Sequence, residues 1–186
     1  MDFPDHPFWD FSLEVYHREG VGAACLHLQA RHGIDVNVML FCLWLGHSGR
    51  GVMTDQDLRA LRAATDQWHE VVVRGLRKIR TSLKTGFQET PEGLRETLRG
   101  SIQAAEINSE HLEQLLLAAA VDRPAGAGDA PLADRAADGG RNFGLYLDSL
   151  EIAFQPADCV HFAHVLGQAF PGIAPEAALD IAETLM

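Results

Sequence analysis

The segment DVNVMLFCLWLG, Asp35 to Gly46, decides the fold, because it contains the longest apolar run of the chain, Val38 to Leu45. Apolar side chains lie on every side of the helix that this run predicts, and such a helix is buried in the middle of a bundle. Two polar residues, Asp35 and Asn37, stand at its start. Asp35 follows Gly33, which ends the preceding helix, and so occupies the position of an N-cap. The segment therefore predicts a central helix that Asp35 caps.

Helical periodicity continues on both sides of this segment, and no stretch shows the alternation typical of a strand. The chain of 186 residues is long enough for one substantial core. Residues 1–121 predict a helical core. Residues 122–142 are rich in Ala, Gly, Pro and Asp and contain almost no bulky apolar side chain, so they predict a flexible loop. Residues 143–186 predict three short amphipathic helices that dock on the core. The expected fold is an all-α bundle of about eight helices.

Composition excludes several classes of function. The net charge is −11, and residues 85–186 carry the whole acidic excess, which disfavours general nucleic-acid binding and anionic membranes. The longest apolar run has eight residues, whereas a membrane-spanning helix needs about 20. The N-terminal sequence lacks the basic start of an export signal, and three cysteines lie in apolar segments. These features predict a cytoplasmic protein with reduced cysteines.

The sequence contains no nucleophile motif, phosphate-binding loop or dinucleotide fingerprint, so no catalytic residue is predicted. Nine histidines raise the question of a metal, since three of them follow a carboxylate at the i, i+3 spacing of di-iron bundles. The apolar stripes of the first and penultimate helices place their histidines outward, so the histidines are expected to be solvated. We therefore predict no metal site and no cofactor. The three pairs are Glu14/His17, Asp66/His69 and Asp158/His161.

A basic segment, Val73 to Lys84, has five positive residues and no acidic one: Arg74, Arg77, Lys78, Arg80 and Lys84. Three interpretations stay open. The segment is a solvated face that complements the C-terminal end of the helix dipole, or it pairs with glutamates of the following helix, or it binds an external partner. That partner would be a protein or another anionic molecule. Stacking on single-stranded bases lacks a platform, because no aromatic residue lies between the charges.

Residues 7–46, PFWDFSLEVYHREGVGAACLHLQARHGIDVNVMLFCLWLG, followed by Trp68, Val72 and the basic pattern of residues 76–84, resemble a family of small proteobacterial proteins of unknown function. The phenylalanine-tryptophan start and the DVN-x-x-LFCLWL block carry the likeness. The resemblance implies a cytoplasmic, helical, bacterial protein, and it implies no activity, cofactor or site residue.

Two hypotheses of function follow. The leading one is a non-catalytic binding or adaptor protein, because no catalytic motif is present. The alternative is a small enzyme or ligand-binding protein whose pocket opens at the start of the third helix, near Arg31, Asp35 and Asn37. A concave pocket in which Asp35 or Asn37 stays partly open beside another titratable group would favour the alternative. Nothing in the sequence predicts an oligomeric state.

Overall fold

The structure, a computed structural model, describes residues 3–126 and 130–186. Nine α-helices lie in these two ranges. This architecture confirms the predicted all-α class. Among the described helices, none combines the length and the apolarity that a bilayer crossing requires. The helices are α1 Pro7–Tyr16, α2 Val21–His32, α3 Val36–His47, α4 Asp55–Trp68, α5 Arg74–Thr85, α6 Glu92–Ala120, α7 Leu132–Ser149, α8 Pro156–Ala169 and α9 Pro175–Glu183.

Helix α3 lies at the centre of the bundle, as its sequence predicts. Every residue from Asn37 to Gly46 is buried, and α3 contacts α1, α6, α7 and α8. The predicted cap is also present, because the backbone N–H of Asn37 donates to Oδ1 of Asp35 over 2.8 Å. The cap accepts from one of the backbone donors that the first turn leaves without an intrahelical partner.

Helices α4 and α5 form one rod that is joined by a π-helical turn, His69–Val73. A capping box at Thr54 and Asp57 starts the rod. Beyond the turn, α5 and the first half of α6 make a two-helix arm, residues 74–105, in which no side chain from 81 to 105 is buried. The arm therefore extends away from the core, whereas the second half of α6 packs into it.

The prediction of a flexible loop over residues 122–142 is wrong from Leu132 onward, where α7 begins. Residues 127–129 of that stretch lie outside the described residues. The first C-terminal helix is consequently longer than the short helix predicted from residue 143. The contact of α7 with α3 is the most extensive between any two helices described here.

Small side chains account for this helix. A Cβ placed on Gly46 would lie 2.4 Å from the carbonyl oxygen of Arg135 and 2.5 Å from the amide nitrogen of Gly139, so the two backbones touch. The segment lacks bulky side chains, which predicts disorder when the segment is considered alone. The same lack of bulk allows α7 to approach α3. Asn142 then fixes α7, since its buried side chain accepts from the N–H of Met53 and donates to the carbonyl of Gly51.

Candidate functional site

A cavity of about 400 Å³ opens beside the N-terminus of α3. Its walls come from α1, α2, α3, α5, α6 and the π-helical turn. Buried or nearly buried polar side chains form the inner part, which we call the floor: Ser12, Asp35, Asn37, His69 and Gln114. The volume lies in the range of small-molecule sites, about 300–1,000 Å³.

The deepest feature of the floor is an acid–imidazole cluster, formed by Asp35, His69 and Glu113. Nδ1 of His69 lies 3.0 Å from Oδ2 of Asp35 and 3.1 Å from Oε1 of Glu113. The three residues come from the start of α3, the π-helical turn and α6, which are distant in sequence. Asp35 and His69 also line the cavity, while the Glu113 side chain is fully buried behind them. Two acids and one imidazole therefore converge on a single point.

Asn37 holds both carboxylates of this cluster. Its backbone N–H donates to Asp35, and its Nδ2 donates to Oε2 of Glu113 over 2.6 Å. The network continues outward, since Nε2 of Gln114 donates to Oδ1 of Asn37 over 2.9 Å and Ser12 donates to Oε1 of Gln114. A buried polar network whose members are all paired is rigid and costly to disrupt. Asn37 is thus more than a first-turn residue, because it orients the cluster.

The pKa values of His69 and Glu113 are both raised, for different reasons. Burial opposes a charge on His69, but its hydrogen bonds to Asp35 and Glu113 outweigh this and raise its pKa to about 10. Burial raises the pKa of Glu113 to about 7, and the nearby charge of Asp35 adds to the rise. Two acids that share one imidazole favour a positive charge between them. The point that the two carboxylates share therefore favours a positive charge.

The outer part of the cavity is apolar, and we call it the rim. Its large side chains are between 36% and 55% exposed. Isolated exposed apolar residues are ordinary, but several around one concavity indicate a surface that a ligand covers. Trp9 adds an aromatic face to the same wall. The rim residues are Leu13, Tyr16, Leu26 and Ile107.

The structure separates the three interpretations of the basic segment. Arg77 donates to Glu106 and Glu110 of α6, and Arg80 donates to Glu106. Internal pairing therefore holds for these two arginines, and it raises the pKa of both. Arg74 pairs with Glu70 one turn earlier in the rod.

Lys78 and Lys84, the remaining members of the segment, are exposed. The hypothesis of an external anionic partner stays a prediction and now depends mainly on these two lysines.

Arg31 does not join Asp35 and Asn37, so the predicted grouping is wrong for this residue. Arg31 is not among the residues that line the cavity, and its Nε lies 3.2 Å from Oδ1 of Asp158 on α8. Nε2 of His32 lies 3.1 Å from the other oxygen of Asp158. The side chain of Arg31 leaves α2 toward α8 and joins those two helices.

Sequence reasoning missed His69, Glu113, Gln114 and Ser12. The Asp66/His69 spacing places His69 among the histidines that are expected to be solvated, and this expectation is wrong, since its side chain is 12% exposed. Its own i, i+3 partner, Asp66, pairs with Arg62 instead. The capping position of Asp35 was the one usable signal, because it placed a carboxylate at the cavity.

The chain belongs to the family described as protein of unknown function (DUF2390), whose family model matches residues 7–117. This match confirms the resemblance to a family of unknown function and extends it through most of α6. The matched range contains all three residues of the acid–imidazole cluster. No curated protein matches the chain, and neither does any solved structure.

Proposed function

We propose that the protein binds a small amphipathic organic molecule in the cavity beside α3. The observation that carries the proposal is the combination of an apolar rim with a convergent polar floor. Of the two hypotheses raised by the sequence, this is the alternative, with its pocket at the start of the third helix. It requires a concavity in which Asp35 or Asn37 stays partly open beside a second titratable group. His69 is such a group at 3.0 Å from Asp35. Asp35 and Asn37 both line the cavity, although each is exposed by less than a tenth.

The floor favours a neutral or cationic head group. The acid–imidazole cluster has two carboxyl groups for one imidazole, so its total charge is negative or zero in every state in which at least one acid is ionised. Arg77 is the nearest strong cation in the lining, and its guanidinium is paired with Glu106 and Glu110. An anionic head group would therefore meet no unpaired positive charge in the described lining, whereas an ammonium or hydroxyl group can donate to the floor.

A matched set of probes tests this proposal. Hexylamine, hexanol and hexanoate share one apolar chain and differ in head group, and binding is measured by chemical-shift changes in NMR spectra of the metal-free protein. We expect the strongest shifts for hexylamine, weaker ones for hexanol and none for hexanoate, all confined to residues that line the cavity. Equal binding of hexanoate, or shifts that avoid the cavity, would contradict the proposal.

The rim supplies a variant with a matched control. Leu26→Ser removes an apolar side chain that is 55% exposed at the cavity, and Val160→Ser removes one that is 61% exposed on α8, outside the lining. Loss of a half-covered leucine contact is worth about 1 kcal/mol. Leu26→Ser should therefore weaken hexylamine binding several-fold, and Val160→Ser should leave it unchanged.

The arm favours a second function, the adaptor hypothesis that the sequence placed first. Phe87 is 60% exposed, Leu94 is 72% exposed and Leu98 is 52% exposed, all near the end of the arm. Exposed apolar side chains on a projecting element are typical of protein–protein contacts. Chemical cross-linking in the native cytoplasm, with wild type against Leu94→Ser/Leu98→Ser, tests this hypothesis. An identical cross-linking pattern for both would contradict it.

A further inference from the structure

The acid–imidazole cluster has the donor set of a metal centre. One nitrogen and two carboxylate oxygens, each able to act as a single ligand atom, lie within 4.8 Å of one another. Ligand atoms about 2.0–2.2 Å from a common metal are separated by about 2.8–3.6 Å in tetrahedral or octahedral geometry. The distances from His69 Nδ1 to the two acids, 3.0 and 3.1 Å, fall inside that interval.

The oxygen atoms that do not face His69 are already held. Oδ1 of Asp35 accepts from the backbone of Asn37, and Oε2 of Glu113 accepts from the Asn37 side chain. Each carboxylate therefore presents its other oxygen, and only that one, to the shared point. Hydrogen bonds of this kind orient ligating side chains in metal sites and tune their basicity. One buried asparagine performs this task for both acids.

The backbone at His69 gives independent support. The π-helical turn begins at this residue, in the middle of a rod that is otherwise α-helical. Such turns are rare inside α-helices, and those that occur lie frequently at functional sites. The turn interrupts the regular α-helical hydrogen bonding between α4 and α5. His69 at its start is directed into the bundle, while Asp66 and Glu70 on either side are exposed.

We infer that Asp35, His69 and Glu113 bind one divalent first-row transition-metal ion, with zinc as the reference case. Two carboxylates and one neutral imidazole carry a charge of −2, which a divalent cation balances. A proton on Nδ1 and the metal exclude each other, because both use the same lone pair. An imidazole ligand favours zinc, iron, copper or nickel over magnesium and calcium, and no thiolate belongs to the set.

The coordination would be open on one side. Asp35 and His69 line the cavity, so a water molecule or a hydroxyl group can complete the metal's coordination from there. Three protein ligands and one exchangeable position are the arrangement of reactive, as opposed to purely structural, zinc sites. The inference concerns the metal alone and does not depend on the organic ligand proposed above.

The test is a titration of chelator-treated, full-length protein with zinc chloride alone, followed by calorimetry, and with cobalt chloride, followed by visible absorption. We expect one zinc ion per chain, one set of cobalt ligand-field bands and no displacement by magnesium. Asp35→Asn keeps the helix cap and Glu113→Gln keeps the side-chain shape. Each should weaken zinc binding at least about tenfold, since loss of an orienting partner alone costs about 10–100-fold.

His161→Gln is the matched control, because it removes a histidine from the surface pair His161 and His164 without touching the cluster. It should bind zinc as wild type does. Should the cluster variants fail to fold by circular dichroism, the wild-type protein still decides the question. Zinc should then move the ¹⁵N resonance of Nδ1 of His69. Absence of zinc binding, a loss confined to His161→Gln, or an unmoved His69 resonance would each overturn the inference.

Discussion

Gly46→Ala probes the contact on which the position of α7 depends. The new Cβ would lie 2.4 Å from the carbonyl oxygen of Arg135, 2.5 Å from the nitrogen of Gly139 and 2.9 Å from its Cα. All three atoms belong to the backbone, so no side-chain rotation relieves the overlap. Overpacking of this kind costs about 1–3 kcal/mol, and it opposes the gain of about 0.5–1 kcal/mol that alanine ordinarily brings to a helix.

Gly100→Ala is the matched control, since it makes the same chemical change in the interior of α6. No heavy atom outside its own helix lies within 4 Å of the Cβ that it would add. It should raise stability by about 0.5–1 kcal/mol. For a chain of this size, 1 kcal/mol corresponds to about 2–4 °C in Tm. For Gly46→Ala the cost exceeds the gain by up to about 2.5 kcal/mol. Thermal unfolding followed by circular dichroism should therefore show a fall in Tm of up to about 10 °C for Gly46→Ala and a rise for Gly100→Ala.

The signs of the two shifts in Tm decide whether α3 and α7 touch at Gly46. Equal increases for both variants would mean that α7 does not touch α3 at Gly46, and that the Ala- and Gly-rich segment is not docked there. A fall for both would mean that Gly100 has a packing role that its open surroundings do not provide. Opposite signs support the backbone contact, because the chemical change is identical in the two helices.

Three further predictions concern single residues. Asp35→Ala should lower the free energy of unfolding in urea by about 0.5–2 kcal/mol relative to Asp35→Asn, which keeps the cap; equal midpoints would contradict the capping role. Burial alone would raise the pKa of Asp158, but the N–H of Gln155 together with His32 and Arg31 favours the ionised form and holds its pKa below 3.8. This pairing therefore stabilises the fold fully above about pH 4 and is lost as the pH falls through the lower, folded-state pKa. Asp158→Asn should flatten the acid-induced loss of stability below pH 4, and parallel acid-unfolding curves would refute this. Burial raises the pKa of all three thiols, so a thiol reagent at pH 8 should react only as fast as the chain unfolds; rapid labelling of native protein would exclude their burial, and the residues are Cys25, Cys42 and Cys159.

Local patterns in the sequence determined much of the architecture. The apolar run of α3 has no polar face, which predicts that other helices surround it. The structure confirms this prediction, since the whole run is buried. Asp35 after a glycine is a cap for reasons that involve only its neighbours in sequence. Both features are predictable from the sequence, because burial of an all-apolar helix and capping each depend on a few consecutive residues.

The prediction from composition is wrong for α7 because composition describes each segment in isolation. Alanine and glycine bury little surface of their own, and a segment made of them does not offset its ordering entropy when isolated. Placed against Gly46, the same residues let α3 and α7 approach until their backbones touch. Whether a small side chain means disorder or close packing depends on the partner surface, and that surface comes from a part of the chain about 90 residues away.

The candidate site has the same origin. The sequence by itself determined that Asp35 lies at the start of a central helix, because a cap is a local property. Only the tertiary structure decided that Asp35 meets His69 and Glu113, and that Arg31 turns to Asp158 instead. These pairings join residues that are 34 to 127 positions apart. Helix packing determines these pairings, because the partners that a polar side chain can reach depend on which helices pack around it.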